Sequence, residues 1–287
     1  MKTRLIVVPY DSAHEETRMG RGPGALLQGG LVDGLRAAGH EVAVWRVEAP
    51  GEFRTEVGSA FALARLIAAQ VRAASEAGEL PLVLAGNCNS CLGTLAGLGA
   101  SPPTGVLWLD AHGDFNTPDT TASGFFDGMA LATATGRCWP AMTATIDGWS
   151  PVPDAHVVHA GARDLDDAER ELLADSGVAM VEAGKLAREG VSAALGPCLD
   201  ALARRVRRVY LHVDLDVLDP DDAGRANGYA PAGGLAVDEA ETLVSYVGRR
   251  FTIAAAALTA YDPACDPDER VVDSVHRIAR ALLGPAR

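Results

Sequence analysis

Two aspartate-rich segments contain the side chains of this sequence that are best suited to chemistry. The first holds Asp110, His112 and Asp114, and the second holds Asp214 and Asp216. Within each segment these residues are two positions apart, so in an extended chain their side chains project to the same side. Clustered carboxylates repel one another and resist desolvation unless cations neutralise them. The spacing therefore predicts a shared metal site.

Each segment directly follows an apolar run that reads as a buried strand, residues 105–109 and residues 208–213. Loop carboxylates also cap helices and turns, and that alternative suits Asp219 and Asp221, which flank Pro220. It suits the five metal-site candidates poorly, because spacing and strand context agree in both segments.

The composition argues against several classes of partner on physical grounds. The chain has 287 residues, of which 48% are hydrophobic, and a formal net charge of −13. Nucleic acids and anionic membranes reward basic patches, so we expect neither as a partner. The apolar content is ample for one large core, and no linker or repeat divides the chain. We therefore expect one domain over residues 1–287.

The sequence gives no sign of export or membrane insertion. The apolar run near the N-terminus is short and is interrupted by Pro9 and Asp11, unlike a signal peptide. Apolar stretches fall short of the length of a bilayer span. The five cysteines, at positions 88, 91, 138, 198 and 265, are odd in number and scattered, as is typical of reduced thiols. We expect a cytoplasmic protein, and a homo-oligomer is compatible with the sequence.

Strand-like and helix-like runs alternate along the chain, which predicts a mostly parallel sheet with helices on both faces. The expected strands are residues 5–8, 42–45, 82–85, 105–109, 156–159, 178–181, 208–213 and 253–260. The expected helices are residues 25–38, 57–77, 168–175, 192–205, 237–247 and 268–283, with another after Gly86. The long irregular section 115–153 follows a strand end and is expected to face a substrate.

Two segments also resemble known signatures. Residues 108–114 (WLDAHGD) and 214–220 (DLDVLDP) are similar to the two main motifs of the ureohydrolase (arginase/agmatinase) family, and the likeness extends from residue 22 to residue 263. The resemblance implies a three-layer α/β/α fold with a mostly parallel eight-stranded sheet. It also implies a dinuclear manganese amidinohydrolase, whose bridging hydroxide attacks a guanidine-type carbon and releases urea or a relative of it.

The resemblance implies a role for each candidate ligand. Asp110 and Asp214 would bridge the two ions, Asp114 would bind the first ion and also belong to the catalytic group, and His112 and Asp216 would bind the second ion. The residue types support the same metal independently of the resemblance, since hard carboxylate oxygens with one imidazole favour Mn²⁺. Two ions close together lower the pKa of a shared water and orient it as a nucleophile.

The segment after the third large strand departs from the family pattern. Members carry a histidine there that binds the first metal, whereas this sequence, kept in register with Gly93, has Cys88. A thiolate can bind such metals, and a nearby dication deprotonates a thiol. The alternative is a small buried thiol, which is also what we expect of Cys91.

A second departure is Asp127, which lies where arginases have a histidine thought to shuttle protons. A carboxylate can relay protons when neighbouring charge raises its pKa. Asp127 also precedes Gly128, so a simple turn residue is the alternative.

A third departure lies near the end of the chain. The family has a glutamate, three residues before a proline, that pairs with the guanidinium group; counting back from Pro263 gives Ala260. Burying a cation without a partner is costly, so we expect a fully charged guanidinium to bind less well here.

The positions that would bind the α-amino and α-carboxylate groups of a substrate match the family pattern better than the three departures do. Asn116 and Ser123 match arginase positions that bind the α-carboxylate, and Asp166 matches one near the α-amino group. Loop hydrogen bonds are the alternative for Asn116 and Ser123, and capping of the following helix is the alternative for Asp166. These residues favour an α-amino acid over a decarboxylated amine.

The combination favours an arginine analogue whose guanidine is less basic. Hydroxylation of a terminal nitrogen withdraws electrons, so Nω-hydroxy-L-arginine is the expected substrate, giving hydroxyurea and L-ornithine. With Cys88 and the kept amino-acid contacts, the sequence resembles family members that hydrolyse hydroxyarginine in antibiotic biosynthesis. The alternatives are an arginase, a guanidino-acid hydrolase or a formimidoylglutamase, or a metal-binding homologue that has lost catalysis.

Overall fold

A central parallel sheet organises the computed structural model, which describes residues 1–49, 51 and 55–285. Its strands are β1 (Lys2–Val8), β4 (Glu41–Arg46), β5 (Leu80–Ala85), β6 (Thr104–Leu109), β7 (Val157–Ala160), β8 (Ala179–Val181), β9 (Arg208–Asp214) and β10 (Thr252–Thr259). A separate antiparallel hairpin joins β2 (Tyr10–Asp11) and β3 (His14–Glu15). The order of the large sheet is β4-β1-β5-β10-β9-β6-β7-β8, with parallel pairing throughout the part of the chain described. The expected eight-stranded, mostly parallel sheet is confirmed.

Helices cover both faces of this sheet. They are α1 (Gly22–Gln28), α2 (Leu31–Ala37), α3 (Glu56–Glu76), α4 (Cys91–Leu98), α5 (Ala130–Ala134), α6 (Pro140–Thr143), α7 (Asp167–Ala174), α8 (Ala183–Glu189), α9 (Val191–Ala203), α10 (Pro220–Ala223), α11 (Val237–Arg250) and α12 (Arg270–Leu283). Side chains alternate between two core clusters along the strands, so that Leu5 faces one cluster and Ile6 the other. The fold is therefore a three-layer α/β/α sandwich, as expected.

The single helix predicted for residues 25–38 is wrong, because the chain breaks it into α1 and α2 at Gly29 and Gly30. Gly30 has φ +85°, in the left-handed region that glycine adopts most easily. A Cβ at Gly29 would lie 2.5 Å from Cγ1 of Val272, so this glycine lets the turn pack closely on α12. Helix α8 also was not predicted.

The expectation that apolar stretches fall short of a bilayer span is wrong for helix α3, which is long and apolar enough to cross a membrane, judged by length and composition alone. Its apolar face includes Phe61, Ile67 and Val71, which are fully buried in the core. The helix packs against α4 and against β1 and β5. This is the environment of a core helix covering one face of the sheet.

The ends of four neighbouring strands bring the candidate residues to one edge of the sheet. β5, β10, β9 and β6 are adjacent and parallel, so the segments that follow them leave the sheet at the same edge. Ligand sites of open parallel sheets form at this carboxyl edge. The segments that follow these four strands carry Cys88, Ala260, Asp216 and Asp110, respectively.

Candidate metal centre and substrate pocket

A pocket of about 180 Å³ opens at this edge of the sheet. Most residues singled out from the sequence line it: Cys88, His112, Asp114, Asn116, Ser123, Asp127, Asp166, Asp214, Asp216 and Ala260. We call the buried residues Cys88, Asp214, Asp216, Asn227 and Ala260 the inner wall. We call Asn116, Ser123 and Asp166 the outer rim, since they stand on loops and two of them, Ser123 and Asp166, are exposed. Asp110, which is 1% exposed, lies behind the inner wall.

Two groups of potential metal ligands share Asp110. Cys88, Asp110 and Asp214 form one group, and Asp110, His112 and Asp216 form the other. Within each group the ligand atoms lie within 4.8 Å of one another. Two separate segments and a cysteine from a third therefore converge, as the sequence predicted, whereas Asp114 belongs to neither group.

The residues converge because the chain turns after each strand. Asp216 donates its backbone N–H to Oδ1 of Asp214 at 2.8 Å, and a 3₁₀ turn begins at Leu215. His112 likewise donates its backbone N–H to Oδ1 of Asp110 at 2.8 Å. The chain is therefore not extended through these segments, and the turns rather than strand alternation bring the side chains together. Short carboxylate side chains compete for nearby backbone N–H groups and so favour turns.

Burial of several carboxylates in one place perturbs their protonation. Burial raises the pKa of Asp114 and of Asp214 well above the usual range, and the neighbouring carboxylates raise both further. Burial also acts to raise the pKa of Asp216, but the hydrogen bond and charge of His112 outweigh it and hold this pKa at about 2. Without a cation, burial and mutual repulsion therefore favour the protonated forms of Asp114 and Asp214, whereas Asp216 stays ionised beside His112.

His112 is the positive charge of the metal-free cluster. Its Nδ1 lies 3.3 Å from Oδ2 of Asp216 and 3.5 Å from Oδ1 of Asp110. Burial acts to lower its pKa, yet these two carboxylates raise it to about 12. A protonated imidazole cannot ligate a metal, so an ion that binds here displaces this proton.

The donor set fits hard divalent cations. Oδ2 of Asp114 is buried and, among the described residues, has no hydrogen-bond partner. A buried acceptor without a donor is costly, and a cation would satisfy it. Carboxylate oxygens with an imidazole are the ligands that Mn²⁺ takes in proteins. The observed residues therefore fit the ions that the sequence predicted.

Cys88 lies in the site, whereas Cys91 lies in the core. The Cys88 thiol donates to Oδ2 of Asp214 at 3.0 Å, and its sulfur lies 3.2 Å from Oγ1 of Thr259. Burial raises the pKa of this thiol well above its usual range. Cys91 is fully buried and packs in the hydrophobic core beneath α5, as a structural thiol would.

A layer of buried aromatic side chains supports the ligands from below. Trp108 stacks on the His212 ring with centroids 3.6 Å apart, and its indole N–H donates to Oδ2 of Asp110 at 2.9 Å. Nδ1 of His212 lies 2.7 Å from the Tyr210 hydroxyl. His159 occupies the same register on β7. Sequence reasoning missed this layer, although polar rings in buried strands were a visible signal.

Asp127 lines the pocket and is held from two sides. Its Oδ1 accepts the backbone N–H of Asn89 at 2.8 Å, and its Oδ2 accepts from Nδ2 of Asn87 at 2.9 Å. Burial raises its pKa to about 7. The carboxyl is therefore fixed beside the Cys88 segment, with a pKa suited to proton exchange near neutral pH.

The outer rim is built on loops and is more exposed than the inner wall. Nδ2 of Asn116 donates to Oδ2 of Asp166 at 2.9 Å. Asp166 makes no side-chain cap hydrogen bond to helix α7, so helix capping does not explain this residue. Oγ of Ser123 accepts from the backbone N–H of Phe125 at 3.1 Å, so the loop hydrogen bond considered for Ser123 is present.

Among the pocket residues that sequence reasoning missed are Glu169, Asn227 and Tyr229. Glu169 is 3% exposed, accepts the backbone N–H of Phe115 at 2.8 Å, and has its pKa raised to about 7 by burial. It approaches Gly113 so closely that a Cβ there would lie 2.6 Å from its carboxyl carbon. Its place in the first turn of α7, three residues after Asp166, was the available signal.

Comparison with known proteins agrees with the site. The sequence model of the arginase family matches residues 1–284. An arginase of Bacillus caldovelox is 31% identical over 292 aligned residues, covering 98% of this chain and 96% of the relative. The crystal structure of an arginase from Bacillus subtilis superposes with a TM-score of 0.90 at 28% identity, covering 100% of this chain and 99% of that chain. The chain therefore belongs to the arginase family of ureohydrolases, which act on a guanidino carbon–nitrogen bond.

Proposed function

We propose that this protein is a dinuclear manganese amidinohydrolase that converts Nω-hydroxy-L-arginine and water to hydroxyurea and L-ornithine. Among family members it would be most like the Nω-hydroxy-L-arginine amidinohydrolase of D-cycloserine biosynthesis. The choice of substrate depends most on Ala260, a pocket-lining residue that is 3% exposed. In the alignment with the family, this alanine takes the place of the glutamate. A methyl group there offers a cationic guanidinium no counter-charge.

The two groups found at the sheet edge contain every proposed ligand except Asp114, and they share Asp110. The first ion would be held by Cys88 and Asp114, the second by His112 and Asp216, and both would share the two bridging residues, Asp110 and Asp214. When bound, such a pair of ions lowers the pKa of a water and orients it towards an electrophilic carbon. Neutralising the buried carboxylates also removes the repulsion that raises their pKa values.

The outer rim would bind the amino-acid part of the substrate. Asn116 and Ser123 present hydrogen-bonding groups suited to an α-carboxylate, and Asp166 presents a carboxylate suited to an α-ammonium group. Holding both charged groups fixes the distance from the rim to the guanidine carbon. Such positioning contributes to catalysis by removing the entropy of alignment from the chemical step.

Asp127 would move the protons of the reaction. A carbon–oxygen bond forms at the guanidine carbon, the bond to the ornithine nitrogen breaks, and that nitrogen must gain a proton to leave. A carboxyl with a pKa of about 7 can accept a proton and return one at the same pH. Its hydrogen bonds from Asn87 and Asn89 fix the two oxygens in the pocket wall.

A hydroxylated guanidine suits this pocket because it is far less basic than the guanidine of L-arginine, so it loses its proton at a much smaller cost in free energy. Burying L-arginine beside Ala260 leaves a cation without the carboxylate partner that other members supply. A neutral hydroxyguanidine avoids that cost, and the electron-withdrawing oxygen makes its carbon easier to attack. We also propose that residues 1–287 act as one catalytic domain in the cytoplasm, where Cys88 stays reduced; all five cysteines are free thiols.

Steady-state kinetics with a small guanidine panel test the substrate. We expect kcat/KM for Nω-hydroxy-L-arginine to exceed that for L-arginine by about 100-fold or more, the effect of a few kcal/mol. Agmatine, which lacks the α-carboxylate, should be poorer than either. The relatives named above are arginases, so equal or better efficiency with L-arginine would identify this chain as an arginase and reject the hydroxylated substrate.

A further inference from the structure

Asn227 is a buried, uncharged residue between the metal-ligand cluster and Ala260. It lies in the segment after α10, is 1% exposed and lines the pocket. Its side chain joins the ends of two neighbouring strands: Nδ2 lies 3.3 Å from Oδ2 of Asp216, after β9, and 2.8 Å from the carbonyl oxygen of Ala260, after β10. One amide therefore contacts both the ligand side and the guanidine side of the inner wall.

The orientation of this amide is fixed by its surroundings. Oδ1 of Asn227 accepts the backbone N–H of Tyr229 at 2.8 Å. The opposite edge faces two oxygens, those of Asp216 and Ala260, and a primary amide has two N–H protons for them. A flipped amide would set its oxygen against both acceptors and its NH₂ against a donor. The hydrogen bonds therefore specify one rotamer.

Ala260 has an unusual backbone that this amide supports. Its φ is +62°, in the left-handed region that side chains other than glycine seldom adopt. The residue donates its backbone N–H to the carbonyl of Ala85 at 3.2 Å, while Asn227 supplies the donor for its own carbonyl. Strained backbone in a binding site persists only where its surroundings fix it. Asn227 is part of that surrounding structure.

Asp216 is fixed in the same way. Its Oδ1 receives the backbone N–H of Ala111 at 3.3 Å, and its Oδ2 lies within 3.3 Å of both Asn227 Nδ2 and His112 Nδ1. Donors at both oxygens orient the carboxylate before any ion arrives. Partners behind a ligand typically matter for metal affinity by a factor of 10 to 100.

We propose that Asn227 is a positioning and specificity-determining residue, which orients Asp216 for the metal and satisfies the Ala260 carbonyl from within the protein. Because the protein already provides this donor, the N–H groups of a cationic guanidinium gain little from that carbonyl. This inference rests on the proposed function for its substrates. It extends that function by assigning the neutral character of the guanidine side of the inner wall to a second residue besides Ala260.

The test compares Asn227→Ala and Asn227→Asp with the unchanged full-length protein. We expect the dissociation constant for Mn²⁺, measured by calorimetry on the metal-free protein, to rise about tenfold or more in both variants. The ratio of kcat/KM for Nω-hydroxy-L-arginine to that for L-arginine should fall by about tenfold, since L-arginine gains the unpaired carbonyl as an acceptor. The fall should be larger for Asn227→Asp, which adds a negative charge.

Ser274→Ala is the matched control. Ser274 is 4% exposed and donates to the carbonyl of Ala223, near the same segment but outside the pocket wall. It should leave Mn²⁺ affinity and the substrate ratio unchanged. Equal losses with both substrates and unchanged Mn²⁺ affinity in the Asn227 variants would overturn the inference, because only a general structural role remains.

The two proposals fail separately. An unchanged protein that prefers L-arginine rejects the proposed substrate, yet the change of ratio and of Mn²⁺ affinity on substitution still decides the role of Asn227. If Asn227→Ala does not fold, Asn227→Asp keeps the volume and the acceptor for Tyr229 while losing both donors. The melting temperature of each metal-free variant shows whether that variant folds, and the comparison is made with a variant that does.

Discussion

The inner wall and the outer rim of the pocket differ in how the chain builds them. The inner wall consists of buried residues that follow β5, β9 and β10, together with Asn227 from the segment after α10, and the aromatic layer of β6 and β9 supports it. The outer rim stands on loops, and its Ser123 and Asp166 are exposed to solvent. Charges at the inner wall are desolvated, so each change there alters binding strongly, whereas solvent weakens each interaction at the rim.

The same contrast bears on the proposed alignment with the family. In that alignment Cys88 and Ala260 of the inner wall depart from the family pattern, whereas the two aspartates of the inner wall and the three rim residues match it. A buried position selects strongly by charge, because an unpaired ion there is costly. Under the proposed function, exchanging Cys88 and Ala260 while keeping the rim would change which guanidine is accepted and would leave the amino-acid part of the substrate alone.

Removing an inner-wall ligand should have the largest effect. We expect Asp216→Ala to lower kcat/KM on the order of 10³-fold, since it leaves His112 and Asp110 without a third ligand in their group. The control is Asp219→Ala, whose carboxylate caps the start of α10. Exhaustive chelation should abolish turnover of the unchanged protein. Full activity after chelation, or in Asp216→Ala, would exclude a metal mechanism.

The layer beneath the inner wall should make stability depend on pH. Burial lowers the pKa of His159 from 6.5 to about 4, so below pH 6.5 the unfolded chain takes up a proton that the folded chain refuses. Stability of the metal-free protein should therefore fall as the pH decreases from 6.5 towards 4, by about 3 kcal/mol for this residue. Urea unfolding at pH 7 and pH 4.5 measures this loss of stability. His159→Gln should show a smaller drop than the unchanged protein; an equal drop would reject the assignment to His159.

Placing a glutamate at position 260, on the guanidine side of the inner wall, should make the pocket favour a cationic guanidinium, as we expect of the family pattern. Ala260→Glu should improve kcat/KM for L-arginine relative to Nω-hydroxy-L-arginine by roughly tenfold, because the guanidinium gains a counter-ion. Ala260→Gln is the matched control, since it adds the same volume at the same φ without the charge. A similar shift in both variants would mean that size rather than charge sets the preference.

Replacing the Cys88 thiol with an imidazole should raise the affinity of the site for Mn²⁺. We expect Cys88→His to bind the first Mn²⁺ roughly tenfold more tightly, because a neutral imidazole adds no negative charge to the cluster and loses no proton from a raised pKa. Calorimetric titration with Mn²⁺ measures this, with Cys265→Ser as the control. Equal occupancy in both proteins, with Cys88 open to alkylation when metal is bound, would make the thiol structural.

Substitution at the outer rim should have the smallest effect. Ser123→Ala removes one solvent-exposed hydroxyl, so we expect KM for the amino-acid substrate to rise by about threefold to tenfold with little change in kcat. Steady-state kinetics at saturating metal measure the effects on KM and on kcat separately. A collapse of kcat would place Ser123 in the chemistry and would remove the contrast between rim and inner wall.

The sequence by itself determined the fold class and most of the candidate ligands that the structure brings together. Alternating apolar runs indicated a parallel sheet covered on both faces, and the two aspartate motifs at strand ends predicted a cation site at its carboxyl edge. Both inferences depend on local spacing and on the physics of burial. For the same reason the positions of Asp110, His112, Asp214 and Asp216 could be read directly from the chain.

The tertiary structure decided what depends on contacts between distant segments. Asn227 meets Asp216 and Ala260 only because β9 and β10 are neighbours, and Cys88 reaches Asp214 across 126 positions of sequence. The turns that aim the aspartates, and the left-handed φ of Ala260, follow from hydrogen bonds that no local pattern encodes. Spacing along a chain fixes which residue types lie on one element; only packing fixes which elements face each other.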